Sequence, residues 1–217
     1  KNPVLILVML SNFFFPLKIN STKQLNPFDS LTSHQSDTVT LFSHRWLMLS
    51  GVWLLYFCFG MTVTSLAPLV RPITYELNMN YTEMGRVLGA WQLVYIATAL
   101  PCGAMIDRLG LRRSLLIASV LVGFSCMMRG FAQGQLTLLL AVAFFGLGGP
   151  LISVGAPKLI SIWFNERERK LAMGIYITGM ALGSITVLSI TNSVIMPWMD
   201  GDWRKILWIY SSIVFLS

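Results

Sequence analysis

From residue 46 onward the chain repeats one pattern: a long apolar stretch, then a short polar one. The apolar stretches cover residues 46–70, 84–106, 114–128, 136–160 and 171–196, and a sixth begins near 203 and still runs at Ser217. None alternates with the two-residue period of a barrel strand, which would be about ten residues long. A helix needs about 20 apolar residues to cross about 30 Å of hydrocarbon, and the complete stretches approach that length, 114–128 being the shortest. Inside a bilayer every backbone polar group must pair within the protein, so such runs are predicted to be transmembrane helices. The expected fold is therefore an all-α membrane protein of six spans, the last cut short.

The first 45 residues read differently. Residues 3–17 are apolar but short for a span. Behind Lys1 they fit a signal-peptide core without a clean small-residue cleavage site, an anchor, or sequence outside the folded domain. Residues 18–43 are rich in Ser, Thr, Asn and Gln without periodic apolar positions, and are expected to form a flexible tail. The expected organisation is thus a tail over 1–45 and a span region over 46–217. The apolar character of both ends reads as a piece of a longer chain.

Composition agrees with the pattern. The chain is 55% hydrophobic and 12% charged, against about 25% charged in soluble domains. The net charge of +7 does not point to nucleic acid, because no basic face is interleaved with aromatic residues on a soluble element. The basic residues cluster instead at the ends of apolar runs. Arg108, Arg112, Arg113, Arg167, Arg169 and Lys170 follow the second and fourth stretches; Arg71, Arg129, Arg204 and Lys205 follow the first, third and fifth. The richer set is expected on the cytoplasmic side, which places the N-terminus there too.

Cys58, Cys102 and Cys126 lie inside apolar runs, with neither disulfide nor metal spacing, and His34 and His44 are not spaced as ligands. There is no Gly-x-x-x-x-Gly-Lys loop, no His-Glu-x-x-His, and no paired acid or histidine inside a span. The expectation is no cofactor, no metal and no enzyme.

The most constrained motif joins the second and third stretches. It reads Gly103-Ala-Met-Ile-Asp107-Arg108-Leu-Gly110-Leu-Arg112-Arg113. A charged turn this tight makes two spans antiparallel neighbours. Gly103 is expected to allow close helix approach, Gly110 to make the turn, and Asp107 to face the positive end of a helix. The pattern Gly-x-x-x-Asp-Arg-x-Gly-x-Arg-Arg resembles the loop 2–3 signature of the major facilitator superfamily. That resemblance implies two six-helix halves, each of two three-helix repeats, rocking about a central site. It also implies a conformational latch at Gly103, Asp107, Arg108, Gly110, Arg112 and Arg113, and a C-terminal half supplied by residues beyond Ser217. Asp200, Gly201, Arg204 and Lys205 faintly repeat the motif one three-span unit later.

A second stretch, Ala156-Pro157-Lys158 through Trp163-Phe164 to Glu166-Arg167-Glu168-Arg169, is similar to the fourth-to-fifth loop of anion-uptake members such as cyanate and nitrate permeases. Lys158 can snorkel to the interface or attract an anion. Two departures narrow the likeness: Val142 stands four residues before Gly146, where many proton-coupled relatives have arginine, and the fifth span lacks the Gly-Pro pair of drug/proton antiporters. Tyr56, Gln92, Tyr95, Ser153, Lys158, Tyr176 and Asn192 are the candidate translocation path, with packing hydrogen bonds the plainer alternative for each. Gln92 and Tyr95 share a helix face. The expected function is secondary transport of a small solute, an anion being the class the likeness favours, across what is expected to be the plasma membrane. A non-transporting scaffold or sensor on the same fold is the alternative. Recurrent glycines, Gly146, Gly148, Gly149 and Gly155 in the fourth span and Gly174, Gly179 and Gly183 in the fifth, are expected to pack helices closely.

Overall fold

The computed structural model describes the backbone of residues 27–216 and the side chains from residue 45 onward. The chain divides into two units, Lys1–Phe42 and Ser43–Ser217. Of the first, only the backbone helix from Pro27 is described. Residues 1–26, with the apolar run 3–17, lie outside the described residues.

The elements are helices. They comprise α1 (Pro27–Thr64), a tight helical turn at Ala67–Leu69, α2 (Val70–Glu76), α3 (Tyr81–Leu109), α4 (Leu111–Gly130) and α5 (Gln135–Trp163). Then come α6 (Glu166–Ile190), a widened turn at Thr191–Ile195, α7 (Met196–Trp198) and α8 (Trp203–Leu216). α1 begins inside the polar stretch 18–43. Among the described residues, five segments are long and apolar enough to cross a membrane: Arg45–Glu76, Tyr81–Leu109, Leu111–Gly130, Gln135–Trp163 and Glu166–Trp198. Each contains one of the five complete apolar stretches of the sequence.

The breaks have local causes. Near the end of α1, Thr62 and Thr64 donate hydroxyl hydrogen bonds to the carbonyls of Cys58 and Gly60 at 2.9 and 2.8 Å. Ser65 donates to Thr62 O at 2.9 Å, and Pro68 and Pro72 cannot donate at all. Such competition ends a helix and tightens its continuation. α3 starts at a capping box: Glu83 N donates to Asn80 Oδ1 at 2.8 Å, and Asn80 N donates to Glu83 Oε2 at 2.9 Å. α3 and α4 are separated by Gly110 alone, whose φ of 80° is a conformation that favours glycine. The widened turn at Thr191–Ile195 precedes Pro197, which removes one donor from the ladder.

α5 is the centre of the bundle, packing against α3 and α4, while α8 packs against α4. Leu138, Phe145, Leu151, Ile152, Ala156 and Ile160 of α5 are buried. Without a hydrophobic force between helices in lipid, backbones must come close. A Cβ on Gly183 would lie 2.1 Å from Phe57 O, which fixes α6 against α1. One on Gly146 would lie 2.5 Å from Trp91 O, which does the same for α5 against α3. Gly103 behaves differently from expectation. A Cβ there meets nothing within 4 Å, because the α3–α5 contact runs along another face of α3.

Candidate functional site

Chemistry gathers in three places along the bundle. The first is the end that holds the α3–α4 turn. Lys158 Nζ, about one and a half turns before the end of α5, donates to Asp107 Oδ1 at 2.6 Å. The pair is open to solvent, with side-chain exposures of 44% and 69%. Two residues expected in separate groups, one in the latch and one along the path, therefore meet in a single ion pair. At the same end, Arg45 of α1 pairs with Glu168 of α6 at 3.2 Å, and Arg169 donates to Ser161 O at 2.9 Å. Arg108, Arg112 and Arg113 are exposed around the turn. A groove beside them, lined by Arg112, Arg113, Leu159, Ile162 and Trp163, has a volume of about 350 Å³.

The second place is the middle of the bundle. Tyr95 of α3 and Ser153 of α5 share a hydroxyl hydrogen bond of 2.7 Å. Tyr56 of α1 meets Tyr176 of α6 edge to face, with ring centroids 4.9 Å apart. The two pairs belong to one aromatic wall: Tyr56 stacks on Phe59 at 5.6 Å, Phe59 on Phe145 at 5.2 Å, Phe145 meets Trp91 at 5.6 Å, and Trp91 meets Tyr95 at 6.0 Å. Gly149 makes room for the Tyr95 ring, which a Cβ would approach to 2.8 Å. Thus four helices supply Tyr56, Tyr95, Ser153 and Tyr176 to one surface of hydroxyls on aromatic backing. Gln92 is exposed one turn before Tyr95 on the same helix. Asn192 is exposed in the widened turn beyond α6, apart from this group, where its neighbour Thr191 bonds Tyr210 at 2.6 Å.

The third place was not expected. Arg129, counted from sequence as a loop charge after the third span, sits in the last turn of α4 and is only 2% exposed. Its Nη1 donates to Thr62 O and to Ser65 Oγ, both at 2.8 Å, and its guanidinium lies 5.5 Å from the centre of the Phe145 ring. The bend at the end of α1 supplies both oxygen acceptors. The available sequence signal was Phe131 and Ala132 beyond Arg129, which carry the apolar character past the charge. Arg204, also counted as a loop charge, pairs with Glu76 and donates to Ala132 O at 3.0 Å; Trp203 Nε1 donates to Glu76 at 2.5 Å.

The sequence profile of the Major Facilitator Superfamily matches residues 52–217. The chain belongs to this superfamily. The chain is similar to several curated proteins. It is 24% identical over 163 residues to the "Uncharacterized transporter YybO" of Bacillus subtilis, covering 74% of this chain and 36% of that protein. It is 29% identical over 128 residues to the "D-galactonate transporter" of Escherichia coli O6:H1, covering 58% and 30%. It is 26% identical over 165 residues to the "Probable sulfoacetate transporter SauU" of Cupriavidus necator, covering 74% and 37%. The chain spans about a third of the length of these relatives. It is an integral membrane protein of the facilitator type, with anion transporters among its relatives.

Proposed function

We propose that this facilitator moves a small organic anion by alternating access. The described bundle acts as the N-terminal six-span half, built of two three-helix repeats with α8 as part of the sixth span, and residues beyond Ser217 supply the opposing half. The observation that carries the reading is the surface made by Tyr56, Tyr95, Ser153 and Tyr176, drawn from four helices. Hydroxyl groups there donate to an anion, and aromatic faces accept its carbon skeleton.

The Asp107–Lys158 pair serves as the latch at the end read as cytoplasmic, with Gly103, Arg108, Gly110, Arg112 and Arg113 shaping its turn. An exposed pair contributes little to stability, so it can break and re-form cheaply as the halves rock. The excess of basic residues at this end favours a cytoplasmic orientation and a cytoplasmic N-terminus, in a plasma membrane.

Uptake of radiolabelled D-galactonate, sulfoacetate and ascorbate by proteoliposomes containing the full-length protein tests the reading. These probes come from relatives named as transporters of each. Saturable uptake of at least one acid supports it. Absence of uptake of all three, by protein shown to be folded and inserted, counts against it and favours a non-transporting role.

A further inference from the structure

Arg129 has no part in the latch or in the hydroxyl surface, and its setting is unusual. Burying a charge without a partner of opposite sign is strongly unfavourable, and charged groups at membrane depth are functional candidates by default. Arg129 is buried, its hydrogen-bond acceptors are two neutral oxygens, and its Nε has no hydrogen-bond partner among the described residues. The acids from residue 46 onward are Glu76, Glu83, Asp107, Glu166, Glu168, Asp200 and Asp202, all near helix ends. None forms an ion pair with Arg129. The positive charge is therefore left uncompensated within the described bundle.

The direction in which that charge acts follows from its contacts. The guanidinium stands behind Phe145. Phe145 contacts Phe59, which stacks on Tyr56, and also Trp91, which contacts Tyr95. The charge and the hydroxyl surface are thus separated by a packed layer two rings deep, Phe145 and then Phe59 or Trp91. Such a layer screens poorly. Across about 15 Å at an effective permittivity near 20, a unit charge changes the affinity of a monovalent anion by about fivefold.

We propose that Arg129 is a specificity-determining residue that acts without touching the solute. Its fixed, unpaired charge holds the hydroxyl surface at positive potential, so the site prefers a carboxylate or sulfonate over an uncharged molecule of the same shape. Thr62 and Ser65 keep the guanidinium in place while leaving its charge intact. This inference rests on the transport reading and adds the origin of the selectivity.

The test separates charge from packing. Using the full-length protein, uptake of the labelled acid is competed with that unlabelled acid and with an uncharged analogue of it: D-galactonamide for D-galactonate, the carboxamide-sulfonamide for sulfoacetate, or the 2,3-di-O-methyl ether for ascorbate. The acid-to-analogue ratio of inhibition constants is the readout. Ser65→Asp places a carboxylate beside the guanidinium and neutralises it without removing it; Ser65→Asn is the uncharged control. Arg129→Lys keeps the charge and Arg129→Met removes it. The expected result is a loss of acid preference of about fivefold in Ser65→Asp and Arg129→Met, with the preference kept within twofold in Ser65→Asn and Arg129→Lys. Should Ser65→Asp fail to fold, the two Arg129 variants decide. Equal ratios in the charged and neutralised variants would overturn the inference. That outcome leaves wild-type uptake intact and so differs from failure of the transport reading, in which no acid is taken up.

Discussion

Lys158 and Asp107 form an ion pair of 2.6 Å across 51 residues of sequence, joining the end of α5 to the end of α3 beside the α3–α4 turn. Both side chains remain largely open to solvent. Exposed pairs contribute about 0–1 kcal/mol. The pair is therefore poorly suited to holding the fold and well suited to changing partners.

This relationship gives the first prediction. Asp107→Asn and Lys158→Gln should each lower the unfolding free energy of the full-length protein by less than about 1 kcal/mol, while reducing the rate of uptake by about tenfold. Thermal unfolding and initial uptake rates on one preparation check both halves. A large stability loss with uptake preserved per folded molecule would remove the latch role.

Gly183 and Gly103 should respond oppositely to the same added methyl group. At Gly183 the methyl collides with Phe57 O at 2.1 Å, so α6 must move off α1. Overpacking of this kind costs about 1–3 kcal/mol. At Gly103 nothing lies within 4 Å, and Gly103→Ala should leave the thermal stability of the described bundle unchanged or slightly raised. Detergent-solubilised melting temperatures distinguish the two.

Glu76 ties α2 to α8 through Trp203 Nε1 and Arg204. Trp203 is 1% exposed, so Glu76→Ala leaves a buried N–H without its acceptor. The loss should be about 1–3 kcal/mol. Glu76→Gln, which keeps an acceptor oxygen, should recover part of it. Equal destabilisation in the two variants would show that the charge, rather than the hydrogen bond to Trp203, dominates.

The Tyr95–Ser153 hydroxyl pair is predicted to matter more for transport than for stability. Hydrogen bonds between membrane helices average about 0.6 kcal/mol. Tyr95→Phe and Ser153→Ala should each shift unfolding by about that amount, yet raise the KM for the transported acid several-fold by removing a hydroxyl from the surface. Tyr56→Phe should act in the same direction. Unaltered KM in all three would exclude this surface as the binding site.

Much of the fold was readable because lipid imposes a simple rule: long apolar runs, as at 136–160, have few alternatives to a helix. The α3–α4 turn was equally readable, since Gly110 separates two charged helix ends and only a conformation suited to glycine fits there. Arg129 was not readable in the same way. Whether an arginine at the end of an apolar run faces water or turns inward depends on acceptors from elsewhere, here Thr62 O and Ser65 Oγ. The widened turn at Thr191–Ile195 was hidden for a similar reason, because its residues are ordinary and its cause, Pro197, lies beyond it. Gly103 shows the converse error. Small residues permit close approach, but which face of α3 meets a neighbour is decided by the packing of the whole bundle. The motif likewise named Asp107 without its partner, because Lys158 lies in a different span.

The central claim is that the hydroxyl surface faces each side of the membrane in turn. Replacing the buried Cys58, Cys102 and Cys126, and every other cysteine of the full-length protein, with alanine or serine and introducing Ser153→Cys gives one reporter thiol on that surface. Its reaction with a membrane-impermeant thiol reagent, applied from each side of oriented proteoliposomes, tests the claim most directly. The account predicts labelling from both sides, with the balance between sides shifted by the transported acid. Labelling from one side only, unchanged by that acid, would contradict it.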